Sequence, residues 1–325
     1  MASLKSLCVF LALACTLCLP VRAETPWGPE QVRIVVPYPP GTEPDVLARD
    51  LGNQLARRTG KVFVVENKPG ANAIIGAGNV AKSAGDGSTL LMVDRLALVA
   101  NPFLYANLPY DWRKELKPVA DVGHIDLYVA VRSTLGVNDY KGFMEKARTG
   151  RGAINVGTGG NGHVSHLGMA MLAASEGVDF TYVPFKGVAP AVTALLGGEV
   201  DALMAGGLVM SQQVQSGKIK VLVSGADRHS GFMPEVPTLA EAGGKPGSIP
   251  STVFSVFAPG TMSDALAAHI NKEIRTAMDD AALRGNYGKR GVEIRVPAPE
   301  QTRAEMERDA SVYGSLIRKL GVTAQ

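Results

Sequence analysis

The sequence predicts an α/β protein of two lobes, each a mainly parallel sheet flanked by helices. Three observations carry that reading. First, a strand that runs into a proline–glycine loop and then a helix occurs twice in succession, as Arg33-Ile34-Val35-Val36-Pro37-Tyr38-Pro39-Pro40-Gly41-Thr42 and as Val62-Phe63-Val64-Val65-Glu66-Asn67-Lys68-Pro69-Gly70-Ala71-Asn72-Ala73. Second, a further strand–glycine loop–helix junction, Thr158-Gly159-Gly160-Asn161-Gly162-His163, opens a second set of alternating units. Third, the 325 residues exceed what a single small core needs, and strands alternating with helices call for parallel sheets joined by right-handed crossovers.

The elements follow in order. Residues 1–23 read as a secretory leader cleaved after Ala23: Lys5 supplies a basic start, Leu7 to Leu19 an apolar run and Val21-Arg22-Ala23 a small-residue end. That run is too short for a comfortable membrane span. A first helix begins near Thr42 to Pro44, with Thr42 as cap; Leu47, Leu51 and Leu55 share a face, and Gly60 ends it. Strand Val62–Glu66, a closely packed helix over Ala73–Ser83 and strand Thr89–Val93 complete the first set.

An irregular stretch then leads to an isolated strand, Leu127–Val131. The second set comprises strand Ile154–Gly157, helix His163–Glu176, strand Thr181–Pro184, helix Val188–Leu196 and strands Val200–Ala205 and Ile219–Val223. Thr252–Ala258 is a second connecting strand. Helix Ser263–Met278, strand Val292–Val296 and helix Pro299–Leu320 close the chain, with Met306, Val312, Leu316 and Leu320 along one face of the last helix. The expected organisation is one lobe interrupted by another: 24–126 and 252–325 form lobe 1, 127–251 form lobe 2, and 127–131 and 252–258 are hinge strands.

Composition narrows the function. All three cysteines, Cys8, Cys15 and Cys18, lie in the leader, so a mature chain from Glu24 has no disulfide, thiolate nucleophile or cysteine metal site. It carries 31 basic and 30 acidic residues without charge blocks, which argues against nucleic acid or a membrane surface as the main partner. No H-E-x-x-H, G-x-S-x-G or Walker lysine pattern occurs. His163 and His166 alone make a poor metal site, so neither a metal, a cofactor nor a catalytic residue is expected.

What remains is anion binding. Helix N-termini offer unpaired N–H groups and partial positive charge, and three such junctions at the ends of parallel strands mark a cleft. Ordinary tight turns are the alternative at each junction taken singly. Gly157 to Gly162 matches the spacing G-x-G-x-x-G but lacks the acidic ribose partner of a dinucleotide site. Asp94 and Arg95 follow the third strand, where Arg95 would grip a carboxylate or Asp94 receive an amino or hydroxyl group, unless they form a solvated pair. His163 would face the cleft, whereas His166 would fix the loop. Asp201 is open to both readings, ligand contact or a hydrogen bond across its lobe.

The motifs together resemble those of the Bordetella uptake gene family, the periplasmic receptors of tripartite tricarboxylate transporters. They are the Arg33–Gly41 segment with Asp45 and Ala48-Arg49, Val65–Ala71, Asp86–Leu91, Asn101-Pro102, Gly160-Asn161-Gly162 with His166-Leu167, Val183–Gly187 and Gly198–Asp201. The resemblance implies a two-lobed Venus-flytrap fold of the type II periplasmic binding proteins and a monomeric, periplasmic, non-catalytic receptor. It also implies a small carboxylated ligand delivered to a membrane permease; docking on a receptor kinase as a ligand sensor is the alternative partner, and an exported enzyme the alternative class. Carried over, the ligand contacts are Tyr38, Gly41, Thr42, Asn72, Ala73, Thr158, Gly162, His163 and Asp201, beside Asp94 and Arg95 from the residue reading. The family usually has glycine where Thr42, Asn72 and Ala73 stand, serine or threonine at His163, and small uncharged residues near Asp94 and Arg95. These departures imply an atypical ligand, or a carboxylate held by side chains.

Overall fold

Parallel strands whose loops all open toward one edge need both faces covered by helices, and the chain is built that way. A computed structural model describes residues 27–150 and 152–321. The leader expected over 1–23 lies outside the described residues. The first half comprises β1 (Gln31–Val36), α1 (Glu43–Thr59), β2 (Val62–Asn67), α2 (Ile74–Ala81), β3 (Thr89–Asp94), α3 (Arg95–Leu104) and the short α4 (Trp112–Glu115). Then β4 (Leu116–Arg132) leads to α5 (Tyr140–Thr149), β5 (Asn155–Thr158), α6 (Val164–Glu176), β6 (Thr181–Pro184), α7 (Val188–Gly197), β7 (Ala202–Gly206), the short α8 (Ser211–Gln215) and β8 (Ile219–Ser224). The chain returns through β9 (Ser251–Pro259), α9 (Asp264–Ala277), α10 (Ala281–Gly288), β10 (Val292–Glu293) and α11 (Pro299–Leu320).

The strand order is β2-β1-β3-β9-β4-β7-β5-β6, with β8 and β10 also paired to β4. The pairs β1/β2 and β1/β3 are parallel, as are β5/β6 and β5/β7. The crossing strands β4 and β9 run antiparallel to each other. β4 is shared: Leu116 to Asp126 pair with β9, and Leu127 to Arg132 pair with β7 and β8. The expected isolated strand is thus the end of a seventeen-residue one. Register shifts between Pro118 and Ala120 and between Asp121 and Gly123 break its alternation, and such bulges hide a strand from a period-two reading.

Helix α1 begins beside Thr42, but the Thr42 hydroxyl turns back to donate to Pro39 O at 2.7 Å and caps nothing. Asp45 instead ties the preceding loop to the helix: its Oδ2 accepts from Gly41 N–H at 2.9 Å while Arg49 and Asn67 donate to its carboxylate. Gly60 ends the helix at φ 72°, the left-handed turn only glycine takes without strain. The expected stretch before β4 contains α3, which the sequence concealed because every residue from Arg95 to Asn101 is buried and Pro102 sits inside. A helix enclosed all round shows no amphipathic stripe.

Helix α11 packs chiefly on α3, with smaller contact to α6. Its buried face includes Met306, Ala310, Tyr313, Leu316 and Ile317; of the expected face, Met306 and Leu316 are buried, whereas Val312 is 51 % exposed. Phe103 lies against Gly314, where a Cβ would come within 2.4 Å of the ring. One core runs without a break from Val35, Leu91 and Val93 through α3 and α11 to Leu167 of α6 and Val129 of β4. Each fully buried large aliphatic side chain in it contributes about 1.5–3 kcal/mol. The strand expected over Val292–Val296 shortens to β10, which pairs only with Ile125 and His124.

Candidate functional site

The C-terminal ends of β1, β3 and β7, the start of α6 and the central strands surround a cavity of about 230 Å³. Its polar lining includes Tyr38, Asn72, Asp94 and His163; Leu96, Leu127, Met204 and Phe254 are among its apolar walls.

Tyr38 reaches this cavity from the loop after β1. Its ring packs edge-on to Phe254 at 6.5 Å, and its hydroxyl accepts from Asp94 N–H at 3.2 Å. Burial and the neighbouring Asp94 carboxylate hold the phenol far above its ordinary range, so it stays protonated. Asp94 caps α3 by accepting Leu96 N–H at 3.1 Å. Burial pushes its carboxyl up to about 7, against the opposing pull of the Leu96 N–H and Arg95.

Asn72 stands in the middle of three successive left-handed residues, Ala71, Asn72 and Ala73, with φ of 47°, 48° and 71°. A side chain in that region costs about 1–2 kcal/mol. The run is braced by Asn101, which exchanges hydrogen bonds with the Asn72 side chain at 2.8 Å and the Asn72 carbonyl at 2.9 Å. The loop therefore keeps a conformation suited to glycine although two of the residues are alanine.

His163 is the N-cap of α6. Its Nδ1 accepts Ser165 N–H at 3.2 Å, which places the proton of the neutral ring on Nε2. Burial, and secondarily His166, push its pKa down to about 4, so the ring is uncharged near neutrality. It lies against Gly159, where a Cβ would meet Nδ1 at 2.8 Å. Gly162 has φ 75° and donates to His166 Nδ1 at 3.2 Å. A Cβ there would come 2.4 Å from Leu104 Cδ1, so glycine permits the close approach of the α3 end to the α6 loop.

Other expected residues stand elsewhere. Gly41 is exposed, with its amide on Asp45. Thr42 is tied to Pro39, Ala73 is buried at 3 % exposure as the start of α2, and Thr158 is buried with its hydroxyl near Gly160 N–H. None of the four is in the cavity lining. Arg95 corrects the expectation of a carboxylate grip: its guanidinium is already taken by Asp121 at 2.9 Å, Glu305 at 2.6 Å and Asp309 at 3.4 Å. Asp201 resolves to the structural side of its two readings, accepting from Arg132 at 2.8 Å and from Asn155 N–H at 2.9 Å at the base of β5.

The structure also brings in residues without local sequence signal. Glu43 and Arg290 line the cavity as an ion pair of 2.9 Å. Burial raises the Glu43 pKa against the pull of Arg290, and Glu43 Oε1 is buried without a partner. No group of three or more potential metal ligands occurs among the described residues.

The model of the tripartite tricarboxylate transporter family receptor matches residues 47–322. The chain is 29% identical over 314 residues to BugT of Bordetella pertussis, covering 96% of this chain and 95% of that protein. Its structure resembles the periplasmic binding protein BugD, at 28% identity and TM-score 0.77 over 91% of this chain and 100% of that one. It also resembles two Rhodopseudomonas palustris proteins. One is MatC with bound malate, at 28% identity and TM-score 0.76, covering 88% of this chain and 98% of the other. The second was solved with adipate, at 25% identity and TM-score 0.79, covering 90% and 98%.

Proposed function

The chain belongs to the tripartite tricarboxylate transporter receptor family, whose members are periplasmic solute-binding receptors, and from that membership we propose that it captures a small carboxylated compound in the cavity between the loops after β1 and β3 and the start of α6. The observation that carries the reading is the meeting of Tyr38, Asn72, Asp94, Gly162 and His163, from distant parts of the chain, around one cavity. Relatives holding malate and adipate support a carboxylate as the ligand class.

The chain acts without catalysis, as a monomer that closes over its ligand and presents it to a membrane permease. Lobe 1 is 24–126 with 252–325, lobe 2 is 127–251, and 127–131 with 252–258 form the hinge. The change of partner of β4 between Asp126 and Leu127 supports that division. Export would follow cleavage after Ala23. No helix among the described residues is long and apolar enough to cross a membrane.

Thermal unfolding of the purified protein against mono-, di- and tricarboxylates tests the reading. A ligand binding only the folded state stabilises it by about 2.7 kcal/mol at a hundredfold excess over Kd. A saturable rise with at least one acid supports the receptor; no rise with any acid, or turnover of a bound one, refutes it.

A further inference from the structure

The charge around the cavity is poorly suited to a diacid. Two carboxyl groups, Glu43 and Asp94, line it against one guanidinium, Arg290; Asp94 is mostly ionised above about pH 7, and Arg290 is already paired with Glu43 at 2.9 Å. His163 adds no positive charge while its ring is neutral. Among the described residues no other lysine or arginine lines the cavity, and Arg95 points its guanidinium at Asp121, Glu305 and Asp309.

Backbone donors do not make up the difference in the α6 loop. The amide of Gly159 donates to Ser165 Oγ, Gly160 to Thr158 Oγ1, Gly162 to His166 Nδ1, His163 to Gly160 O and Ser165 to His163 Nδ1. Much of the loop that would receive an anion is thus occupied by its own side chains. An added carboxylate in such a place would be desolvated beside like charge, which is unfavourable.

The rest of the wall is apolar. Leu127, Val164, Met204, Phe254 and Val292 enclose the body of the cavity. Leu208 and Val209, which also line it, are 39 % and 48 % exposed. They form an unburied apolar rim that a ligand with apolar surface would cover.

Resting on the receptor reading above, we propose that this cavity selects an amphipathic ligand with an apolar body and no more than one carboxylate, its far end carrying a hydrogen-bond donor that meets Asp94. Asp94 sets this specificity in two ways. Its carboxyl oxygens accept from a hydroxyl or amine, and in its ionised form, as at pH 8, its charge repels a second carboxylate.

Matched ligands test this by calorimetry at pH 8. An aliphatic set is hexanoate, 6-hydroxyhexanoate and adipate; an aromatic set is phenylacetate, 4-hydroxyphenylacetate and 4-carboxyphenylacetate. In at least one set the hydroxy acid is expected to bind about tenfold tighter than the diacid, a difference of about 1.4 kcal/mol. D94N keeps an oxygen to cap Leu96 and is expected to erase most of that ratio, chiefly by admitting the diacid. A purely structural Asp94 would weaken all ligands alike. Diacids binding as tightly as the hydroxy acids, or malate binding when neither set does, overturns the inference and leaves the receptor reading standing. Binding by no acid at all overturns both.

Discussion

Replacing Arg95 with methionine separates what its sequence position suggests from what its surroundings dictate. The guanidinium is about one-tenth exposed and meets Asp121, which is fully buried, together with Glu305 and Asp309. Methionine keeps most of the volume, so little of the effect comes from a void. Asp121 would retain the Ser255 hydroxyl but lose its cation. Removing one member of a buried pair costs about 3–5 kcal/mol, because the other charge is left uncompensated; Glu305 and Asp309, being partly exposed, add less.

The pH dependence has a definite sign. Burial raises the pKa of Asp121 and Asp309 even with the arginine present, and its removal raises them further. A carboxyl whose folded pKa exceeds its unfolded value takes up a proton on folding, so its penalty is largest at high pH and fades as pH falls through the folded pKa. Urea unfolding of R95M should therefore show a loss of about 3–5 kcal/mol at pH 8. At pH 5 that loss should be smaller, by about 1.4 kcal/mol for each pH unit over which one carboxylate protonates. The affinity for any ligand found should change far less than the loss of a direct contact would bring, because Arg95 reaches the cavity only through its pull on the Asp94 carboxyl. A variant that unfolds like the parent but loses binding a hundredfold would refute this reasoning and restore Arg95 as a ligand contact.

Two further perturbations follow from local geometry. A71G removes an exposed methyl from a residue at φ 47°; relief of about 1–2 kcal/mol of left-handed strain, offset by glycine's greater freedom when unfolded, should stabilise the protein by about 0.5–1 kcal/mol in denaturant titrations, and a lowered midpoint would count against the strained loop. His163 has a folded pKa of about 4 against an ordinary 6.5, so it should contribute stability above about pH 6.5 that is lost as pH falls toward 4; H163N, which can also cap α6, should lessen the fall in melting temperature across that window, and an unchanged slope would place the sensitivity elsewhere.

Much of the fold was legible because it rests on short-range rules. The junctions at Gly41, Gly70 and Gly162 announced strand-to-helix turns, and β6 and α11 have the expected limits. The same rules failed where enclosure or pairing overrode periodicity. Helix α3 is buried at every position from Arg95 to Asn101, its polar residues included, so no solvent face sets off an apolar stripe to read. The bulges in β4 hide a long strand whose pairing with β9 joins residues more than a hundred positions apart. In the site, Asp94 and His163 were legible from their positions after a strand and at a helix start, and Tyr38, Asn72 and Gly162 came with the family resemblance, whereas Glu43 and Arg290 were not legible, since nothing local marks an ion pair spanning 247 positions.

The sequence by itself determined the α/β class, the strand–loop–helix junctions and the family resemblance, because backbone preference, hydrophobic period and turn chemistry act over a few residues. Only the tertiary structure decided what each charged group faces. Arg95 and Asp94 are neighbours in the chain, yet one is locked among Asp121, Glu305 and Asp309 and the other borders the cavity. Electrostatic partners are chosen by distance in space and by the water that burial removes, and a local sequence pattern encodes neither.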